Sequence, residues 1–277
     1  MKNESLKMII SIGEILWDYI DNEKLLGGAT FNVAYYLNKL DSKTTFISRV
    51  GDDSNGKEII KKINDFNLSS NIQIDKIHPT GTVKVFKNSN NQIDYEISEN
   101  VAWDFIENID IEQPYHIVFG TLAQRSKVSR DTINTLINKA DKKFYDVNLR
   151  KSCIIETVIQ SLNISNIVKV NDDELAYLSG SNNKDIEYSG FKFAEKYNLE
   201  ALVVTLGSKG SFVVTPNDIY IHEGFKTKVV DTVGCGDSFF ASIISGYINN
   251  LSWEQNLENA NKLASQVASI KGAILFD

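Results

Sequence analysis

Cysteine is scarce in this chain. Two residues, Cys153 and Cys235, cannot build a disulfide framework, and the three scattered histidines His78, His116 and His222 add no zinc-ligand set. The expected setting is therefore a reducing, cytoplasmic one without a structural metal. Proline is equally sparse, at three residues beside abundant Asn, Lys and Ile, a compositional bias with no functional content. Positive charge is in deficit: 29 Lys and Arg against 36 Asp and Glu leave a net charge of −7, which argues against a basic footprint for nucleic acid or an anionic membrane. Any anionic ligand must be held by local groups. Long apolar runs are missing too. Met8–Ile12 is stopped by Gly13-Glu14, far short of the ~18 residues of a spanning helix, and neither a signal peptide nor an anchor is expected. What the 277 residues do contain is 42% hydrophobic and 23% charged side chains, enough for a large core and without a signature of disorder.

Short apolar runs bounded by turn residues recur at Met8–Ile12, Thr45–Val50, His116–Phe119, Phe144–Val147, Ile167–Val170 and Leu202–Leu206; they read as buried strands. Helical spacing fills the intervals, as in Phe31/Ala34/Tyr35/Leu37, Ile59/Ile60/Ile63 and Ile133/Leu136/Ile137/Ala140. Alternating strands and helices predict parallel βαβ units, hence a sheet covered on both faces. The segment Gly81–Ile97 departs from this pattern. Thr82/Lys84/Phe86 alternate with Val83/Val85, and a turn at Asn88-Ser-Asn-Asn leads into Gln92–Ile97, which predicts a β-hairpin. With Ile15–Asp21 it would form a small sheet, unable to fold alone and placed to act as a lid.

Polar, charged and Gly residues follow the strands at one end: Glu14 after Met8–Gly13, Asn148-Leu149-Arg150 after Phe144–Val147, Asn171-Asp172-Asp173-Glu174 after Ile167–Val170, and Gly207-Ser208-Lys209-Gly210 after Leu202–Leu206. Open parallel sheets bind ligands at the carboxyl ends of their strands, so a site is expected there. The sharpest signal is Asp231-Thr-Val-Gly234-Cys235-Gly236-Asp237-Ser238 before the apolar helix Phe239, Phe240, Ala241, Ile243, Ile244. Two glycines framing a small residue at a helix start let backbone N–H groups converge on an anion. Asp237 has two readings at this stage, a proton acceptor for a nucleophile or an N-cap on a core helix. Two other glycine patterns are rejected. Gly51-x4-Gly56-Lys57 has P-loop spacing, but Glu58 stands where a Ser or Thr should hold Mg2+. Gly234-x-Gly236 lacks the third glycine of a dinucleotide fingerprint.

Together these residues resemble the ribokinase-like, or PfkB, carbohydrate kinases. The resemblance is carried by Gly27-Gly28-Ala29-Thr30-Phe31-Asn32, Gly51-Asp52-Asp53-x-x-Gly56, Asp146-x-Asn148-x-Arg150, Asn171-x-x-Glu174, Thr205-x-Gly207-x-Lys209-Gly210 and Asp231-Thr-Val-Gly-Cys-Gly-Asp237, in the family's order. It implies one kinase domain over residues 1–277: an α/β protein of ribokinase-like αβα-sandwich type, with a mainly parallel central sheet and a small β-sheet lid. The lid insertions fall at about 15–26 and 72–100. It also implies ATP-dependent phosphorylation of a sugar hydroxyl.

By the same resemblance Asp237 is the catalytic base, and Gly234, Cys235 and Gly236 form the anion hole for the transferring phosphoryl group. Cys235 replaces the family's usual Ala with another small residue. Asp18, Gly27, Gly28 and Asn32 match sugar-binding positions, and Arg150 is expected to bind the substrate, through the sugar or through phosphate; Asn148, Asn171, Thr205, Gly207, Gly210 and Asn261 match positions around the nucleotide. Glu174 is the expected metal residue, organising Mg2+ through water. K+ is a further expected cation near Asp231-Thr232. The Asp-x-Asn-x-Arg motif and Pro79-Thr80-Gly81-Thr82 resemble fructokinases first. Kinases of 2-keto-3-deoxygluconate, ribose or nucleosides are the other readings, and a catalytically silent sugar-binding regulator is the reading from another class. A homodimer through Thr82–Ile97 and Ile15–Asp21 is expected.

Overall fold

The computed structural model describes residues 7–20, 23–87, 93–181 and 185–275. The chain opens with β1 (Met8–Ile12), β2 (Leu16–Ile20), β3 (Glu23–Gly27), α1 (Ala29–Lys39), β4 (Thr44–Gly51), α2 (Ser54–Asp65) and β5 (Ser70–Asp75). There follow β6 (Thr82–Lys87), β7 (Ile93–Ile97), β8 (Tyr115–Gly120), α3 (Lys127–Ile137), β9 (Lys143–Asp146), α4 (Ile155–Ile164) and β10 (Ile167–Asn171). The last third holds α5 (Asp172–Ser179), α6 (Ile186–Lys196), β11 (Ala201–Thr205), β12 (Ser211–Val214), β13 (Ile219–His222), α7 (Cys235–Ile248) and α8 (Trp253–Val267).

Nine strands form one sheet in the order β13-β12-β11-β10-β9-β8-β1-β4-β5. Its pairs from β11 to β5 are parallel, and β12 and β13 add an antiparallel edge. The period-2 alternation of strand side chains divides the core into two layers. Ile9, Phe46, Val118, Phe144, Ile167 and Val203 pack with α1, α2, α7 and α8, while their neighbours Ile10, Ile47, Ile117, Tyr145, Val168 and Val204 pack with the opposite helices α3, α4, α5 and α6. The expected αβα sandwich follows from this doubly buried sheet.

From β1 the chain moves outward to β4 and β5, and later returns to β8 on the other side and runs on to β11. The order therefore reverses between β1 and β8, and the crevice at their carboxyl ends is where such sheets take ligands. A second, four-stranded sheet, β3-β2-β6-β7, stands beside this end. Alternation in β2 sends Leu16, Asp18 and Ile20 toward the crevice, while Trp17 turns away, is buried, and donates from Nε1 to the Asn55 carbonyl at the start of α2 at 3.1 Å. That anchor seats the second sheet on the first.

Strands β6 and β7 match the expected hairpin; its turn at Asn88–Asn91 lies outside the described residues. The expected insertion 72–100 overlaps β5, which pairs with β4 in the main sheet. β5 carries Ser-Asn-Ile-Gln-Ile-Asp, a polar edge strand with no apolar run to announce it. The rejected P-loop segment has a structural task. Asp53 caps α2 by accepting from Gly56 N at 2.8 Å, and it also takes the Thr80 N–H at 2.8 Å and the Thr80 hydroxyl at 2.7 Å, fixing the chain that leads into β6. No helix among the described residues is long and apolar enough to cross a membrane.

Candidate active site

A cavity of about 1000 Å³ opens between the two sheets at the carboxyl ends of the central strands. It is lined by Asp237, Gly234, Cys235 and Gly236, by Asp18, Gly28, Asn32 and Arg150, and by Asn148, Asn171, Thr205, Gly207, Gly210 and Asn261. Gly27 and Glu174 stand behind this wall. Gly27 leaves room for the Asp18 carboxylate, which a Cβ there would meet at 2.1 Å. Glu174 spends both oxygens on backbone N–H groups, of Leu149 at 2.7 Å and Asn171 at 2.8 Å, so it ties the loop carrying Asn148 and Arg150 to the start of α5. Asn171 completes a capping box by accepting from Glu174 N at 2.7 Å. The cavity-facing acids at this helix start are Asp172 and Asp173.

Gly234, at φ 77°, precedes α7 in the left-handed region, where a Cβ would stand 2.6 Å from Cβ of Ala273; glycine is required by both counts. The N–H of Cys235 closes the preceding turn on Thr232 O at 3.3 Å, and burial pushes its thiol up to about 11, so it is neutral. Asp237 lies in the first turn of α7, buried, and α7 has no side-chain cap. Its Oδ2 instead accepts from Asn32 Nδ2 of α1 at 2.7 Å. The two readings left open by the sequence thus separate: Asp237 faces the cavity and does not cap its helix.

The carboxyls around this point resist ionisation. Burial raises Asp237 to about 6, reinforced by Asp146 and opposed by Lys169, the Asn32 hydrogen bond and Arg150. Burial raises Asp18 to about 7 against the pull of Arg150, and Glu14 likewise to about 7, with Asp237 adding repulsion. Opposite charge comes from three sources: the N-terminus of α7, Arg150, and Lys169.

Three residues of the cavity lie outside the family motifs. Lys169 is buried on β10 and pairs with Asp146 on β9 at 2.8 Å. A Cβ at Gly236 would stand 3.2 Å from its ammonium, so the cation sits directly beneath the helix start. A charged residue inside the run Ile167-Val-Lys-Val was the available signal, because a strand covered on both faces is normally apolar throughout. Glu14 follows β1, and its Oε1 accepts from Ala29 N at 3.1 Å. Its Oε2 is buried without a partner. Phe225, 44% exposed, borders the nucleotide-motif end of the cavity, and nothing in the sequence marked it.

At that end Gly207 (φ 58°) and Gly210 (φ 90°) shape a tight turn closed by Leu206 N to Gly210 O at 2.8 Å. Asn261 of α8 donates to Ser211 Oγ at 2.8 Å and Leu257 O at 2.7 Å, locking the wall beside it.

A doubly wound sandwich with a glycine-framed helix start and a buried carboxyl at one crevice has the layout of small-molecule kinases of the ribokinase type. The model of the pfkB family carbohydrate kinases matches residues 11–276, and the chain belongs to that family: it is a phosphotransferase acting on sugar. Fructokinase-2 of Solanum lycopersicum is 27% identical over 304 residues, covering 96% of this chain and 92% of that one. The fructokinase of Escherichia coli is 26% identical over 273 residues, with 90% and 87% covered. A double mutant of the fructokinase from Vibrio cholerae O395, solved with fructose, ADP and potassium, superposes with a TM-score of 0.87 at 23% identity, covering 98% and 95% of the two chains.

Proposed function

We propose that the chain is a fructokinase, moving the γ-phosphoryl group of ATP to a hydroxyl of fructose. The observation that carries the reading is the Asn32–Asp237 hydrogen bond at 2.7 Å, which joins the polyol-suited wall of the cavity to the helix start suited to phosphate. Short polar groups and bare glycine backbone at Asp18, Gly28 and Asn32, with Gly27 leaving room behind Asp18, fit a neutral sugar, whose hydroxyls each want a donor and an acceptor. Asp237 accepts the proton of the attacking hydroxyl as that oxygen bonds to the γ-phosphorus and the bond to the bridging oxygen of ADP breaks. Charge on the phosphoryl oxygens is met by the positive N-terminal end of α7, already in place before the reaction.

The nucleotide lies along Asn148, Asn171, Thr205, Gly207, Gly210 and Asn261. Hard carboxylate oxygens of Asp172 and Asp173 beside Asn171 suit Mg2+ held through water, with Glu174 adding negative charge behind them. Mg2+, when bound, neutralises the charge on the β- and γ-phosphates. Addition of EDTA is expected to abolish ADP release, and restored Mg2+ to return it. K+ near Asp231-Thr232 belongs to the same proposal, read as stimulation by K+ over a Na+ background.

A second reading is favoured by Arg150, whose cation faces the Asp18 carboxyl across the cavity. An acid sugar such as 2-keto-3-deoxygluconate would take that cation as its carboxylate partner. ADP release measured with fructose, ribose, 2-keto-3-deoxygluconate, glucose and adenosine separates the cases. Fructose should give the highest kcat/KM. A higher value for 2-keto-3-deoxygluconate selects the second reading, and no turnover on any of the five overturns the kinase.

A further inference from the structure

We infer that the buried Asp146–Lys169 pair is a positioning device that tunes Asp237 as the base, keeping it basic enough to take the sugar proton. The inference rests on the reading of Asp237 as the proton acceptor. Asp146 and Lys169 are register partners across β9 and β10. Their strand neighbours on the same face, Phe144 and Ile167, enter the core beneath α7, so two residues further along Lys169 reaches the floor of the cavity with Asp146 paired beside it. Both side chains are almost fully buried, and Lys169 Nζ lies 2.8 Å from Asp146 Oδ1. Asp146 Oδ2 is buried and has no partner. A buried ion pair is poor value for stability, since desolvation of both charges costs several kcal/mol and apolar residues of similar size often do as well. Its worth here is electrostatic.

Around Asp237 stand Glu14 after β1, Asp18 on β2, Tyr36 on α1, Asp146 on β9, Arg150 beyond it, Lys169 on β10 and Cys235 on α7 itself. Of these, Asp146 is the strongest charge opposing ionisation of Asp237 and Lys169 the strongest favouring it. An ammonium free to close on Asp237 would form a full ion pair and leave a weak base. Tethered to Asp146, it keeps Asp237 ionisable near neutrality while Asn32 alone holds its Oδ2. A base works best with a proton affinity near the working pH.

The test is the pH profile of kcat/KM for the preferred sugar at saturating Mg-ATP, with the full chain. Asp146→Asn keeps an oxygen for Lys169 and removes one negative charge. The acid limb should move down by about one pH unit, with a lower plateau from the weaker base. Lys169→Met should move the limb up. Glu14 and Asp18 titrate in the same window, so the limb belongs to the group; opposite displacement by the two variants is the signature. A merely structural pair would lower melting temperature and amplitude and leave the limb in place, which would overturn the inference. If Lys169→Met fails to fold, Asp146→Asn decides alone. Asp237→Asn in parallel keeps the outcomes distinct: an active Asp237→Asn removes the base itself, whereas an inactive one beside an unmoved Asp146→Asn limb removes only this inference.

Discussion

At the scale of single residues, the proposed chemistry turns on one carboxylate placed where a cap would normally be sought. Asp237 receives the Asn32 amide and makes no capping bond to its own helix. Asp237→Asn keeps size and can still accept from Asn32, so the fold should survive. An amide cannot take a hydroxyl proton, and loss of a general base typically costs ~10²–10⁴ in rate, roughly 3–5 kcal/mol of barrier. Steady-state kinetics should therefore show kcat down by that order, with nucleotide affinity and melting temperature nearly unchanged. A variant with most of its kcat would remove the mechanism. Cys235, neutral at working pH because burial holds its thiol near 11, should tolerate Ala with little change.

Elements place these residues, and a few glycines decide whether they can. Gly28 starts α1 at φ 118°, and a Cβ there would meet the Glu14 carbonyl at 2.4 Å. Gly28→Ala should destabilise by about 1–3 kcal/mol, since a side chain is strained at such a φ and the backbone beside it has nowhere to go. Because Asn32 sits one turn along the same helix, KM for the sugar should rise together with the fall in melting temperature; normal values of both would refute the close approach. The same elements show what the sequence could announce. Runs such as Ile167–Val170 and Leu202–Leu206 were legible because burial on both faces leaves mostly apolar residues, Lys169 being the exception. The polar edge strands β5 and β13 were not, since an edge strand exposes side chains and follows no such rule; β12 is buried throughout, but its four residues are too short a run to stand out. Glycine motifs were legible through backbone geometry. Lys169 and Glu14 meet partners on other elements, Asp146 on β9 and Ala29 at the start of α1, so their contacts appear only once β9, β10, β1 and α1 are assembled. In the second sheet β3 and β7 are outer strands, and the proposed homodimer through that sheet should give a dimer mass by light scattering at micromolar concentration; a monomer there rejects it.

For the whole molecule, a crevice that gathers carboxyls has a consequence for stability. Glu14 and Asp18 rise to about 7 and Asp237 to about 6, so the folded state binds their protons more tightly than the unfolded chain does. The contribution of each is full below its unfolded value near 4 and is lost as pH rises toward its folded value. For Glu14 the loss amounts to roughly 2–4 kcal/mol by alkaline pH. Asp75 works the other way. Backbone N–H groups of His78 and Ile77, the His78 ring and Arg49 hold it at about 2 despite burial, so its contribution is present above its unfolded value and disappears as pH falls toward 2. His116, lowered by burial, adds some stability as pH rises through its ordinary range, but one imidazole stands against three carboxyls. The sum is a maximum on the acid side of neutrality, between the Asp75 window and the crevice window. Calorimetry of the ligand-free protein from pH 3 to 8.5 should show the melting temperature peaking below pH 6 and falling by several degrees toward pH 8. Glu14→Gln, which keeps the acceptor for Ala29 N and cannot ionise, should flatten that fall between pH 4.5 and 7. A flat wild-type profile, or an equal fall in the variant, would show that the crevice carboxyls ionise as freely as exposed ones.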